Sequence, residues 1–302
     1  MITIERNCRT EREKLGFIRD CETSFEKRLD EACASLTSRE GTRIIALSGP
    51  TCSGKTTAAG KMISELEKSG RDIHLISIDD FFKERDVLNR EKEMAGGTGL
   101  DYDSVNAIDL ELLEKCTESI LAHRETTLPK YVFKTGSRLC GETVRPSDNS
   151  IFIFEGIQAV YPEVTKLFGN DHLSVRIGVE DDLSLNGAVF GKRDIRLMRR
   201  LVRDYRFRGA APEFTFYIWR SVVQNEERSI EPYESGIDIR IDSLIPYEVM
   251  LMKSELTPIL ELIPETNRFY PKALEFIERL SELETVTPDM IPQNSLLREF
   301  VG

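Results

Sequence analysis

The stretch Ile44–Gly60, "IIALSGPTCSGKTTAAG", constrains this chain more than any other: a short apolar run enters a loop bracketed by Gly49 and Gly54, and a helical pattern begins at Lys55. Gly49, Gly54, Lys55 and Thr56 satisfy the spacing GxxxxGK[ST], and a strand before with a helix after is the setting in which that spacing forms a phosphate-binding loop. The residue types follow from the chemistry. Glycines let backbone N–H groups converge on phosphate oxygens at a helix N-terminus, a lysine supplies a point charge to the β and γ phosphates, and a threonine hydroxyl ligates Mg²⁺. The expected seat is Gly49, Pro50, Thr51, Cys52, Ser53, Gly54, Lys55, Thr56 and Thr57, with ATP and Mg²⁺ as cofactors. Cys52 reads more simply as a tolerated small residue than as an activated thiol.

Short β-branched runs alternate with helical patterns on both sides of this loop. "RIIALS", a helix from about Lys55 to Lys68, "DIHLISI", the helical "AIDLELLEKCTESILAHR", "SIFIFE" and "LSVRIGV" follow in order. That alternation predicts an α/β protein of the P-loop NTPase type, a mostly parallel sheet flanked by helices, with ligands at the C-terminal edge of the strands. The segments expected are an N-terminal helical extension over 1–40 and a core over 41–250 with an arginine-rich helical lid at about 181–210. A helical appendage over 251–302 would pack on that core. "KERDVLNREKEMAGGTG" after Phe82 reads as a flap or a plain solvated loop.

The net charge of −11 argues against nucleic acid and anionic membranes as partners. Six cysteines (Cys8, Cys21, Cys33, Cys52, Cys116, Cys140) form no CxxC pair. Neither zinc nor a disulfide framework is suggested, and with no apolar signal core or membrane-length run the chain reads as cytoplasmic.

A phosphate seat alone does not choose between a kinase, a GTPase and a switch. No NKxD follows a strand, which disfavours guanine specificity, whereas "HLISIDDFF" and "IFIFEG" bring Asp79, Asp80 and Glu155 to strand ends. A kinase needs one carboxylate to take the acceptor hydroxyl's proton and another beside Mg²⁺. "KRDIRLMRRLVRDYRFRG" then concentrates arginines on one helix: Leu197, Met198, Leu201, Val202 and Tyr205 share one face, and Arg196, Arg199, Arg200, Arg203 and Arg206 the other. The arginine face is expected to close over phosphate and exclude water.

In order, "GPTCSGKTT", "SIDDFF", "LDYDSVNAIDL", "LPKYVFKTGSR", "IFIFEGIQAV" and "DIRLMRRLVRDYRFRG" resemble the uridine kinase and phosphoribulokinase superfamily of P-loop kinases over residues 43 to about 250. "KTGSR", "RDYRFRG", "IWRSV" and "NSLLREFVG" look like a bacterial uridine-kinase-like branch whose members often carry a region similar to part of threonyl-tRNA synthetase. Some forty residues precede the core, so the kinase unit is expected to stand alone.

The resemblance implies transfer of the ATP γ-phosphate to a nucleoside 5′-hydroxyl. It makes Asp79 the general base, Lys55 and Thr56 the phosphate and Mg²⁺ residues, and Glu155 with Asp79 the rest of the metal's surroundings. It places Asp103 on the ribose and Tyr131 on the nucleoside; Tyr102 beside Asp103 reads as a second ring that could stack a base, and Arg138 as a further candidate on the acceptor side. Arg200 would meet substrate and phosphate together, with Arg203 and Arg208 on ATP. The chain departs from the family where a base-reading histidine gives way to Gly136, a second substrate arginine to Ala210, and a base-contacting glutamine to the region of Ile218 and Trp219. Two such hydrogen bonds lost without replacement weaken a uracil-type ligand by about 10² to 10⁴. The acceptor is therefore a nucleoside or another sugar, polyol or hydroxy acid. A nucleotide-gated regulatory or RNA-associated switch is the alternative of another class, and a homo-oligomer stays open.

Overall fold

The computed structural model describes residues 1–39, 41–94, 102 and 104–302. In chain order the elements are β1 (Ile2–Ile4), α1 (Glu11–Ser38), β2 (Ile44–Ser48), α2 (Lys55–Lys68), β3 (Asp72–Ser77), α3 (Arg85–Met94) and α4 (Leu110–Leu121). The hairpin β4 (Thr126–Val132) and β5 (Ser137–Val144) follows, then β6 (Ser150–Glu155), the short α5 (Pro162–Thr165), β7 (His172–Gly178), and the hairpin β8 (Leu183–Leu185) and β9 (Ala188–Phe190). The chain continues through α6 (Lys192–Arg208), α7 (Pro212–Ser229), β10 (Ile239–Asp242), α8 (Glu248–Leu260), α9 (Tyr270–Ser281) and α10 (Arg298–Val301).

Five strands form the central sheet in the order β10-β7-β2-β6-β3, every pair parallel. This is the expected doubly covered sheet. All of β2 is buried, and its alternate residues face opposite layers, as the two-residue period of a strand requires. Ile45 and Leu47 join Ile151, Ile153, Val175 and Ile177 against α1, α2, α6 and α8. Ile44 and Ala46 join Phe152, Phe154 and Ile76 against α4 and the turns after β3 and β6. Because β2 lies in the middle, the loop after it opens at the centre of the C-terminal edge, flanked by the tips of β6 and β7.

The terminal segments share the first layer. α1 is one 28-residue helix, started by a capping box in which the Thr10 side chain and Glu13 exchange hydrogen bonds, and it buries Phe17, Ile18, Phe25, Leu29 and Leu36. β1, which no helical reading of 1–40 anticipates, pairs parallel with β8. Phe276 of α9 and Phe300 of α10 enter the same apolar cluster as α1 and β2. Among the described residues no helix is long and apolar enough to cross a membrane.

Two expectations need correction. The stretch after Phe82 is not a loop throughout: Arg85–Met94 forms helix α3, and the glycine-containing remainder, 95–101, lies outside the described residues. The lid region begins as the β8–β9 hairpin, and its helix α6 does not present all its arginines outward. Arg196 is 5% exposed and Arg199 0%, while Tyr205, placed on the apolar face, is 41% exposed. Both buried guanidinium groups meet glutamates contributed by other elements, which a helical wheel cannot show.

Candidate active site

The loop after β2 has the geometry its residue types require. A Cβ on Gly49 would stand 2.1 Å from the Ile177 carbonyl oxygen of the neighbouring strand, so no side chain fits there. Gly54, at φ +86°, caps α2 with backbone alone and leaves the first amides of the helix facing the loop. Lys55 folds back, its Nζ donating to the carbonyls of Gly49 at 2.8 Å and Pro50 at 3.4 Å. Thr56 is exposed at the same end, and the buried Ser53 Oγ has no hydrogen-bond partner among the described residues. Gly49→Ala is expected to weaken nucleotide binding by more than about tenfold, read by calorimetric titration of ADP, because the loop must shift to admit the methyl group.

The strand register brings the acidic tips to this seat. Glu155 lies level with Leu47 on one side and Ser77 on the other, so β6 ends between the loop and the turn that carries Asp79 and Asp80. Ser48 Oγ donates to the Ile157 carbonyl at 2.9 Å and ties the loop strand to the turn after Glu155. Burial pushes the Glu155 carboxyl above the usual carboxylate range, Lys55 draws it back, and Glu299 raises it further. A carboxylate close enough to Lys55 to feel its charge, on the same sheet edge as the loop that carries the exposed Thr56, suits Mg²⁺, which takes one or two protein ligands and fills the rest of its octahedron with phosphate oxygens and water. Asp80 has another use. Its carboxylate accepts from the Tyr131 amide and from Lys130 Nζ, each at 3.0 Å, and so anchors the β4–β5 hairpin to the sheet.

The arginines divide into two groups. Arg196 Nε donates to the Thr51 carbonyl at 3.0 Å and Arg199 Nη1 to the Cys52 carbonyl at 3.2 Å, so both brace the phosphate loop from behind. Each is neutralised below the surface, Arg196 by Glu226 and Arg199 by Glu248 through bonds of 2.6 and 2.8 Å. Arg196 also lies 5.5 Å from the ring of Trp219. The second group gathers on one buried carboxylate, Asp204: Arg200 at 3.1 Å, Arg203 at 2.7 Å and the exposed Arg208 at 3.5 Å. Arg200 and Thr51 line a common cavity with Ile157 and Val222. Burial works against the charge of Arg203, but Cys52, Asp204 and Glu299 outweigh it and hold that guanidinium above its ordinary value. Asp204 itself was not anticipated, although its i,i+4 spacing from Arg200 and to Arg208 is a usable signal.

Beside the β4–β5 hairpin Phe82, Tyr102, Tyr131 and Phe133 form an edge-to-face cluster with centroids 5.1 to 6.1 Å apart. The Tyr131 hydroxyl is buried, and burial, with the neighbouring Tyr102 hydroxyl adding to it, pushes its phenol up to about 12. Gly136 is covered by Arg85: a Cβ there would stand 2.7 Å from Arg85 Nε, and the Arg85 amide donates to the Gly136 carbonyl. The Arg85 guanidinium also donates to the Phe133 carbonyl. Arg138, the cross-strand partner of Tyr131, donates to Asp109, the N-cap of α4, at 2.7 Å. Asp103 lies outside the described residues.

Comparison with known proteins gives these features a context. Residues 44–249 match the Phosphoribulokinase / Uridine kinase family. Uridine-cytidine kinase A of Dictyostelium discoideum is 31% identical over 204 residues, 67% of this chain and 36% of that protein. The uridine kinase of Saccharomyces cerevisiae is 29% identical over 202 residues, 67% of this chain and 37% of that protein. The chain thus spans little more than a third of the length of these two relatives. Among solved structures, one described as a candidate fructose transport system kinase from Silicibacter sp. TM1040 superposes with a TM-score of 0.51 at 18% identity, covering 70% of this chain and 98% of that one, a likeness of fold.

Proposed function

We propose that this chain, which belongs to the Phosphoribulokinase / Uridine kinase family, is an ATP- and Mg²⁺-dependent kinase that phosphorylates the primary hydroxyl of a small molecule, a nucleoside first among them. The observation that carries the reading is the register of Glu155 between Leu47 and Ser77, which sets the loop after β2, the Glu155 carboxylate and the Asp79 turn side by side on one sheet edge. Uridine and uridine-cytidine kinases among the relatives support a nucleoside as acceptor.

In this reading Lys55 leaves its carbonyl contacts to meet the β and γ phosphates. Thr56 and Glu155 would hold Mg²⁺, which when bound would supply positive charge against the phosphate oxygens. Asp79, the residue that the family motif makes the base, accepts the proton of the attacking hydroxyl, while Asp80 holds Tyr131 and Lys130. Arg200 and Arg203, fanned out by Asp204, face the transferring group and stabilise its equatorial oxygens.

Arg85 takes the space above Gly136 and compensates in part for the histidine missing there. A guanidinium only donates, so it fits an acceptor that carries a carbonyl or carboxylate oxygen. Uridine, with a carbonyl at the ring position where cytidine has an amino group, is favoured over cytidine. Arg85→Ala is expected to raise KM for uridine by about tenfold with a smaller effect on kcat, measured by coupled ADP release. A hydroxy acid would use the same guanidinium through its carboxylate and is the second reading. A panel of nucleosides, sugars and hydroxy acids assayed for ADP formation tests both. Turnover confined to hydroxy acids or sugars would remove the nucleoside, and no turnover with any acceptor would remove the kinase.

A further inference from the structure

We infer that Glu299, from the far end of the sequence, is a donor-site residue: its carboxylate occupies the Thr57 corner of the phosphate seat and must leave it for a nucleotide to bind, so it sets how tightly the chain holds its donor. This rests on the nucleotide seat proposed above.

Glu299 Oε2 accepts from the Thr57 backbone N–H at 3.3 Å and from the Thr57 hydroxyl at 2.9 Å. Thr57 is the third residue of α2, so its amide is one of those that no helical carbonyl satisfies. A phosphate-binding loop offers such amides to the α and β phosphates. An anion therefore already sits in the seat, and it is a carboxylate of the chain itself. The nearby Ser53 Oγ, buried and without a partner among the described residues, shows that the loop retains unspent hydrogen-bonding capacity.

The platform beneath Glu299 is firm. Leu296, Leu297 and Phe300 are fully buried, and the Leu296 side chain lies directly over Gly54, with Cδ1 2.5 Å from where a Cβ there would be. The Phe300 ring lies 5.2 Å from the Arg199 guanidinium, Arg206 donates to the Val301 carbonyl at 2.6 Å, and Arg298 donates to the carbonyls of Pro288 and Ile291 at 2.8 Å. The backbone stays and the side chain moves. Glu299 is close enough to Glu155 to raise its carboxyl, so a triphosphate placed on the seat would meet two carboxylates rather than one. Arg203, whose charge Glu299 also favours, is the cation toward which the displaced side chain can turn.

Titration of Mg²⁺·ADP into the parent chain and into Glu299→Gln decides the matter. The glutamine variant is expected to lower Kd by about tenfold while the melting temperature of the nucleotide-free protein falls, because a charge-assisted cap is lost as a competitor is removed. A lower melting temperature with Kd unchanged or weaker would show a helix cap and nothing more, and would overturn the inference while leaving the nucleotide seat standing. Absence of ADP binding by parent and variant alike would overturn the seat itself and the inference with it. Should the glutamine variant fail to fold, Glu299→Asp, too short by one methylene to bring its oxygen to the Thr57 donors, is expected to tighten ADP by about threefold, and an unchanged Kd would contradict the inference equally.

Discussion

Replacing Asp79 by asparagine is expected to lower kcat by a factor of about 10² to 10⁴ while ADP affinity stays within about twofold of the parent. The amide keeps the shape of the carboxylate but cannot accept the hydroxyl proton as the phosphorus–oxygen bond forms. The neighbouring residue provides the control. Asp80 spends its carboxylate on the Tyr131 amide and on Lys130, so Asp80→Ala should cost about 1.5 to 3 kcal/mol of stability through the freed hairpin and lower kcat far less than Asp79→Asn does. Steady-state kinetics with a saturating acceptor, set beside urea unfolding, separates the two. If Asp80→Asn proved the more damaging to kcat, the base would be the second aspartate and the turn after β3 would present the other carboxylate to the acceptor.

The largest expected effect on stability lies behind the phosphate loop. Arg199 and Glu248 are both 0% exposed and joined by two hydrogen bonds, and Glu248 also accepts from the Ile245 amide at 3.1 Å. Removing one partner leaves the other charged and buried, so Arg199→Met and Glu248→Gln should each cost about 3 to 5 kcal/mol in urea unfolding. The double replacement Arg199→Met with Glu248→Leu should recover most of that loss, because buried pairs exchanged for apolar residues of similar volume are often neutral. It should not recover nucleotide affinity, since Arg199 also holds the Cys52 carbonyl of the loop. Single variants that lose less than about 1 kcal/mol would mean that the pair is solvated and the brace weak.

These two predictions fall on opposite sides of what could be read in the chain. The phosphate loop, four of the five parallel strands and the acidic strand ends were legible because each is encoded locally, in two-residue alternation, glycine placement and the residue that follows a strand; the four-residue edge strand β10 is too short to show such a pattern. Asp79 and Glu155 needed only the rule that parallel strands end on one edge. The arginines of α6 were misassigned in part because a helical wheel sorts residues by angle and says nothing of what stands opposite: Glu226 and Glu248, 30 and 49 residues away, turn two of the arginines inward. Arg85 over Gly136 is a contact between segments some fifty residues apart, and Glu299 on Thr57 spans 242. No spacing rule reaches such pairs. They become visible only once the topology has folded α3 against the hairpin and laid α10 on the N-terminus of α2.

Following the phosphate shows whether loop, strand tips and arginine helix serve one phosphoryl transfer. With ATP labelled in its γ-phosphate and uridine present, the label should appear on the 5′-oxygen of the nucleoside in a one-to-one ratio with ADP. The Asp79→Asn variant should form that product at least about a hundredfold more slowly. Label released only as inorganic phosphate, or retained in ATP with every acceptor offered, would contradict it.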